Sequence, residues 1–325
     1  MSEPEPELDR LAPELSVILV VGRRREYAGA CLRSLFADAA TGSARRRLEV
    51  VLVDVGGDAA PLPEAADPRV HRLSMPPDSL FAAARAAGVE AARAPVIAFL
   101  EEHTRVRPGW AEALLAAHEG PWVAVGPQMA NANPEFGKSA LIGLLNYGAY
   151  AAGGRRAECR GVPGHNSSYK TEALRRLAPG LADALANDLV LQERLRAAGG
   201  RFFFEPAAVV EHRNERGLAS IGRGIFLWYR CYGPLRARQA EWSAARRLLY
   251  VLAAPVIPFY FVAHTIPRLA RARTEGWTLL VRHLPFVLGM QLCGALGQAV
   301  GLVQGPGDAP ARFTLYELGE PRGPV

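Results

Sequence analysis

An α/β fold is predicted for most of this chain: a mostly parallel sheet flanked by helices, with apolar helices added at the C-terminal end. Three observations predict it. Over residues 15–125, apolar runs alternate with helical stretches, the pattern of a doubly wound parallel sheet. Strand candidates such as Val96-Ile97-Ala98-Phe99-Leu100 are continuously apolar, as strands buried on both faces are. The last third changes character and carries two long stretches nearly free of charge.

The elements follow in order. Leu15 to Val21 reads as a strand, and Tyr27 to Phe36 as a helix. Leu48 to Val53 is a second strand, ending in Asp54-Val55-Gly56-Gly57-Asp58. A short strand near Val70 to Leu73 precedes an Ala-rich helix from Leu80 to Ala92. After the turn signal Ala94-Pro95 comes the strand Val96 to Leu100, then a helix beyond Pro108-Gly109-Trp110 and a strand from Trp122 to Val125. Residues 126–215 are less regular. They hold Gly161 to Tyr169, a helical stretch, and a helix from about Asn187 to Ala198 that stops at Gly199-Gly200. Phe202 to Phe204 and Ala207 to Val210 flank Pro206 and lead to Glu211-His212.

Composition narrows the function. The chain has 325 residues and is half hydrophobic, enough for one large or two modest domains with a sizeable core. The four cysteines, Cys31, Cys159, Cys231 and Cys293, show no paired ligand spacing and no disulfide framework, which suits a reducing cytosol. A net charge of +6, carried mostly by arginine, fits anionic partners such as phosphate groups or an acidic membrane surface. Nucleic acid is not expected, because no binding motif with interleaved aromatics appears. Residues 1–14 are acidic and Pro-rich, lack a secretory leader pattern, and read as a flexible tail.

The acidic strand end carries the chemistry. Leu100 is followed by Glu101-Glu102-His103, and ligands of open α/β sheets sit beyond the carboxyl ends of the strands. Two carboxylates and an imidazole there could hold a divalent cation and, through it, a phosphate-bearing ligand; the alternative is a solvated turn rich in charge.

In order and spacing, residues 15–230 resemble a family 2 glycosyltransferase, and the resemblance implies the GT-A fold, a Rossmann-like, mixed but mostly parallel sheet. Ser16-Val17-Ile18-Leu19-Val20 looks like the opening strand of the family, although Val21-Gly22-Arg23-Arg24 replaces its usual Pro-Thr-Tyr-Asn. Asp54 matches the aspartate that contacts the nucleotide base, with Val55 where a second Asp is common. Arg85, in Ala84-Arg85-Ala86-Ala87-Gly88, matches the Arg of Arg-Asn-x-Gly and would face the diphosphate; the alternative is an exposed helix arginine. Glu101-Glu102-His103 stands at the Asp-x-Asp position. By that likeness Glu101 and Glu102 belong to the donor site, and Glu101 and His103 to a metal that acts as a Lewis acid on the leaving diphosphate. The histidine favours Mn²⁺ over Mg²⁺ and leaves a metal-independent enzyme open.

The most specific match is Asn187-Asp188-x-x-Leu191-x-x-Arg194-Leu195-x-x-x-Gly199, which differs from the family pattern only at Asn187. The resemblance makes Asp188 the general base of an inverting displacement; a simple helix cap is the alternative. Pro206-x-x-x-Val210-Glu211-His212 matches the strand whose histidine completes the metal site in some relatives, although a structural histidine is as common. Asn166 and Tyr169 lie in the acceptor-loop region, with Asn187 beside the base, and could bind sugar hydroxyls. Arg223, Trp228 and Arg230 do not keep the Gln-x-x-Arg-Trp spacing of processive relatives, so no processive polymerase is expected.

The C-terminal part, residues 231–305, reads as a membrane-associated helical region, and 306–325 as a tail. Leu248 to Pro267 and Leu284 to Val303 each approach the ~20 residues that span a bilayer. Arg268, Arg271, Arg273 and Arg282 lie between them. Arginine-rich short loops prefer the cytoplasm, where a nucleotide-activated donor is also found. Two spans would put that loop on the far side, whereas a hairpin lying in the interface satisfies both demands. A soluble or oligomer-buried helical pair is the third reading, and all three stay open. The expected enzyme moves sugar from a nucleotide-diphospho-sugar to a lipid-linked or glycan acceptor at the cytoplasmic face of the inner membrane, in cell-envelope or exopolysaccharide synthesis. The competing readings are a sugar-nucleotide binder without turnover and a membrane scaffold of a polysaccharide assembly system. A nucleotidyltransferase is disfavoured, because no Gly-rich phosphate loop follows the first strand.

Overall fold

The computed structural model describes residues 12–41, 48–151, 154–271 and 276–319. Most of the expected N-terminal tail, together with Arg273, lies outside the described residues.

The chain runs β1 (Leu15–Val21), α1 (Arg25–Thr41), β2 (Leu48–Asp54), β3 (Val70–Ser74), α2 (Phe81–Ala91), β4 (Val96–Glu101), β5 (Thr104–Val106), α3 (Trp110–His118) and β6 (Ala124–Asn131). Then follow α4 (Ser139–Tyr147), β7 (Ala157–Cys159), β8 (Ser168–Lys170), α5 (Thr171–Arg175), α6 (Leu181–Leu185), α7 (Asp188–Ala197) and β9 (Phe202–His212). The C-terminal part is helical: α8 (Leu218–Gln239), α9 (Ala244–Leu252), α10 (Ile257–Arg271), α11 (Gly276–Arg282), α12 (Leu284–Gln304) and α13 (Ala309–Gly319). The last of these replaces part of the expected tail.

Among the described residues one nine-stranded sheet forms, in the order β3-β2-β1-β4-β8-β6-β9-β5, with β7 added on β9. The pairs β3–β2, β2–β1, β1–β4 and β6–β9 are parallel, and those made by β8, β5 and β7 antiparallel. The sheet is therefore mixed and mostly parallel in its first half. Its centre is dry: Val17, Leu19, Val50 to Val53, Ile97, Ala98 and Phe99 are fully buried, which is why these strands read as unbroken apolar runs. β9 runs straight through Pro206, because its register against β6 shifts between Pro127 and Gln128. An irregularity of that kind tolerates a residue without a ladder N–H.

Two compact units result. One takes in residues up to Ala132 and Ala149–Arg213; the other takes in Asn133–Gly148 and Asn214–Gly323. The division at 213/214 precedes the boundary at 230 drawn from the sequence, because α8 packs against α12 as one helical pair. Along that pair Gly297 and Gly301 permit close approach. A Cβ at Gly297 would overlap the Phe226 carbonyl, and one at Gly301 would overlap that of Arg230 and lie 2.9 Å from Pro234 Cδ. Small residues at a helix seam let backbones meet in this way.

α12 is a helix long and apolar enough to cross a membrane, with mean hydropathy 1.7. The other apolar stretch is broken. α9 and the first part of α10 meet at a bend of 78°. α9 spans nine residues, about 14 Å at the rise of an α-helix, which is half a hydrocarbon core.

Candidate active site and metal centre

Parallel register brings the first acidic residues to the two sides of β1. Val21 pairs with Asp54 and Val20 with Glu101, so both carboxylates stand at the carboxyl ends of the two strands that flank β1. After Glu101 the chain turns within two residues and re-enters the sheet as β5. In this turn the Glu101 and His103 side chains come together, with Oε2 and Nε2 3.7 Å apart, while Glu102 reaches the loop after β1. Glu102 Oε2 accepts from the Gly22 amide at 3.0 Å and pins the loop after β1.

The third partner arrives from far along the chain. β5 pairs antiparallel with β9, with Thr104 opposite His212, and the Arg213 amide donates to the His103 carbonyl at 3.3 Å. His103 and His212 are thereby forced together, their Nε2 atoms 3.0 Å apart. Glu101 Oε2 lies 3.7 Å from His103 Nε2 and 3.4 Å from His212 Nε2. These three buried ligand atoms form a group in which all lie within 4.8 Å of one another. Ligands at about 2.1–2.2 Å from one cation are separated by about 3.0–3.6 Å along the edges of its coordination shell, so the residues present fit a metal ion. Two imidazoles and a carboxylate suit Mn²⁺ better than Mg²⁺. Burial pushes the Glu101 carboxyl up, but His103, His165 and His212 outweigh burial and hold it well below the usual carboxylate range.

The other expected site residues are placed as follows. Asp54 is buried and accepts four bonds. Arg25 Nη2 donates to both of its oxygens at 3.0 and 3.1 Å, Arg72 Nη2 donates at 2.7 Å, and the Gly56 amide at 2.9 Å. A nucleotide base would have to displace one of these donors, which the sequence pattern did not reveal. Arg25 stands in the run Arg23-Arg24-Arg25 that replaces the expected loop; a triple arginine at a strand end was the signal for it. Its Nη1 is buried without a hydrogen-bond partner.

Arg85 is a buried residue, not an exposed helix arginine. Its guanidinium lies 4.2 Å over the Phe81 ring and 5.1 Å over Phe99, and Nη2 donates to the His165 carbonyl at 3.3 Å. Asn166 is fully buried and bound to Glu101 at both ends of its amide: Nδ2 donates to Glu101 Oε2 at 2.7 Å, and Oδ1 accepts from the Glu101 amide at 3.2 Å. Tyr169 is also fully buried, within β8, and its hydroxyl donates to the Gly164 carbonyl at 3.4 Å. Both side chains are thus engaged within the protein, Asn166 with Glu101 and Tyr169 with Gly164. His165, in the same stretch, went unnoticed in the sequence; its Nδ1 is 3.3 Å from Glu101 Oε1.

At the start of α7, Asn187 is the N-cap, its Oδ1 accepting from the Leu189 amide at 3.1 Å. The capping role therefore falls to Asn187, not to Asp188. Asp188 Oδ1 and Asn187 Nδ2 are both buried without a hydrogen-bond partner. Consecutive residues thus leave one acceptor and one donor unsatisfied, and a hydroxyl is the group able to serve both kinds. Asp188 and Glu101 both raise the titration of the buried His165, against burial and the Arg85 charge, which push it down.

Residues 16–178 match the sequence model of the family described as Glycosyl transferase family 2. No curated protein matches the sequence. Among solved structures, a mannosyltransferase from Pyrobaculum calidifontis, in complex with GDP-Man and Mn²⁺, is similar at 17% identity over 91% of this chain and 88% of that one, with a TM-score of 0.53. A structure of GalNAc-T7 with UDP, GalNAc and Mn²⁺ matches at 15% identity over 61% of this chain, which spans 43% of its length, with a TM-score of 0.43. The family match covers half of the residues and starts at the strand carrying the first loop, and the mannosyltransferase likeness shows the same GT-A fold. The chain belongs to glycosyl transferase family 2.

Proposed function

We propose that the protein is an inverting glycosyltransferase that takes sugar from a nucleotide-diphospho-sugar at the Glu101–His103–His212 centre. The observation that carries this reading is the unpartnered, buried Oδ1 of Asp188, with Nδ2 of the preceding residue Asn187 also buried and unpartnered. An acceptor hydroxyl would receive a hydrogen bond from Asn187 and donate its proton to Asp188. As the O–H bond breaks, the oxygen bonds to the anomeric carbon from the face opposite the donor diphosphate. The carbon–oxygen bond to the diphosphate breaks, and the leaving group keeps the electron pair. A divalent cation held by Glu101, His103 and His212 would supply Lewis-acid stabilisation of that leaving charge.

The second unit supports a place at the cytoplasmic membrane face and a lipid-linked or glycan acceptor. Leu248, Leu249, Leu252, Val256, Phe259 and Tyr260 are each between 58% and 69% exposed. Arg238, Arg246 and Arg247 are exposed on the same stretch of chain. An apolar surface with arginines beside it suits the boundary of an anionic bilayer, and the short, bent α9–α10 pair suits lying in it better than spanning it.

The reaction is tested by transfer or hydrolysis from a panel of nucleotide-diphospho-sugars with and without Mn²⁺. Asp188→Asn should lower kcat by about 10²–10⁴-fold while leaving donor binding intact. A wild-type protein that binds a donor but never turns it over would instead favour the binder without activity, a reading that Asn187 in place of the family's acidic residue also favours.

A further inference from the structure

We infer that the three-residue turn Gly164–Asn166 is a positioning element that locks the metal-site carboxylate and the base in one relative arrangement, so that the two are set together and not independently. The inference rests on the metal and base roles proposed above. Three sets of contacts meet in this single 3₁₀ turn.

The first set points at Glu101. His165 Nδ1 faces Oε1 at 3.3 Å, and Asn166 Nδ2 donates to Oε2 at 2.7 Å. Only the Asn166 contact has hydrogen-bond geometry; His165 Nδ1 is buried beside Oε1 without a hydrogen bond to it. Asn166 also accepts from the Glu101 amide, which fixes the strand end as well as its side chain. Outer contacts of this kind orient a metal ligand and tune its affinity.

The second set points at Asp188. Gly164 lies directly against its side chain: a Cβ there would overlap Asp188 Cβ and come within 2.6 Å of Oδ2. No other residue type fits without moving the carboxylate or the turn. The α7 N-terminus and the turn are consequently packed as one piece.

The third set holds the turn itself. Tyr169 donates to the Gly164 carbonyl and Arg85 to the His165 carbonyl. The Asn166 amide donates to the Pro163 carbonyl at 3.1 Å, and the Ser167 hydroxyl to the same carbonyl. Arg85, Asn166 and Tyr169, which the sequence assigns to donor and acceptor, also hold this turn or what it grips.

The consequence can be measured by titrating the full chain with Mn²⁺ alone and reading free Mn²⁺ by electron paramagnetic resonance. Wild type binds. Asn166→Ala binds about 10–100-fold more weakly, with its melting temperature little changed. Gly164→Ala touches Asp188 and not Glu101, yet it too binds at least about fivefold more weakly, because the turn moves as a unit. The double variant Gly164→Ala/Asp188→Gly, which relieves the overlap, returns Mn²⁺ affinity to within about twofold of wild type while transfer stays lost. Should Gly164→Ala fail to fold, Asn166→Ala and the double variant still decide. Wild-type Mn²⁺ affinity in Asn166→Ala, or a double variant that does not recover, overturns the locking role and leaves the proposed reaction standing. A wild-type protein that binds no Mn²⁺ overturns the metal reading and this inference together.

Discussion

Asp54 and Glu101 are buried carboxylates at the ends of strands flanking β1, and their neighbours set them apart. Guanidinium groups meet the first and imidazoles the second. Arg25 is itself buried, whereas the Arg72 side chain is about half exposed. Removing a buried partner leaves an unpaired charge, at a loss of about 3–5 kcal/mol, while an exposed partner contributes about 0–1 kcal/mol. Urea unfolding should therefore show Arg25→Met destabilised by about 3 kcal/mol and Arg72→Met by less than about 1 kcal/mol. Equal losses would mean that burial does not decide the pair. The metal trio, Glu101, His103 and His212, was legible from the sequence because family spacing marks both chain segments. Arg25 and His165 were not, since a charge run and a lone histidine look the same whether solvated or locked in place.

Among the elements, legibility follows length and burial. The strands β1, β2 and β4 are six or seven residues of buried apolar chain, and they announce themselves. β5, β7 and β8 have three residues each, too few for any periodicity to register. Yet β5, by pairing with β9, brings His103 in the turn before it to His212. At the other end of the chain, α12 reads as apolar in sequence, but only the structure shows that Gly294, Gly297 and Gly301 face α8. Gly297→Ala would press a methyl group onto the Phe226 carbonyl. Thermal unfolding should show a loss of about 1–3 kcal/mol, the usual penalty of overpacking. Gly289→Ala, with nothing within 4 Å of the added carbon, should be neutral or slightly stabilising.

Across the whole molecule, the residues proposed for catalysis gather in one compact unit and most of the exposed large apolar side chains in the other. Composition and hydropathy already separate these two regions, while the exact division depends on which helices pack together. The proposed membrane contact predicts flotation of the protein with vesicles containing anionic phosphatidylglycerol, weakened by salt. Leu249→Glu/Leu252→Glu should reduce that binding about tenfold or more, since two exposed leucines would no longer enter the lipid. Unchanged flotation would move the contact elsewhere, to α12. The position of β5 has a further effect. It is a three-residue strand at the end of the sheet order, paired with β9, and it joins His103 to a residue more than a hundred positions away. End strands are the first to fray. The metal centre therefore inherits the lifetime of its weakest pairing, and an ion could enter or leave through brief local opening while the rest of the sheet stays folded. Once bound, the same ion would act as a clasp on that edge.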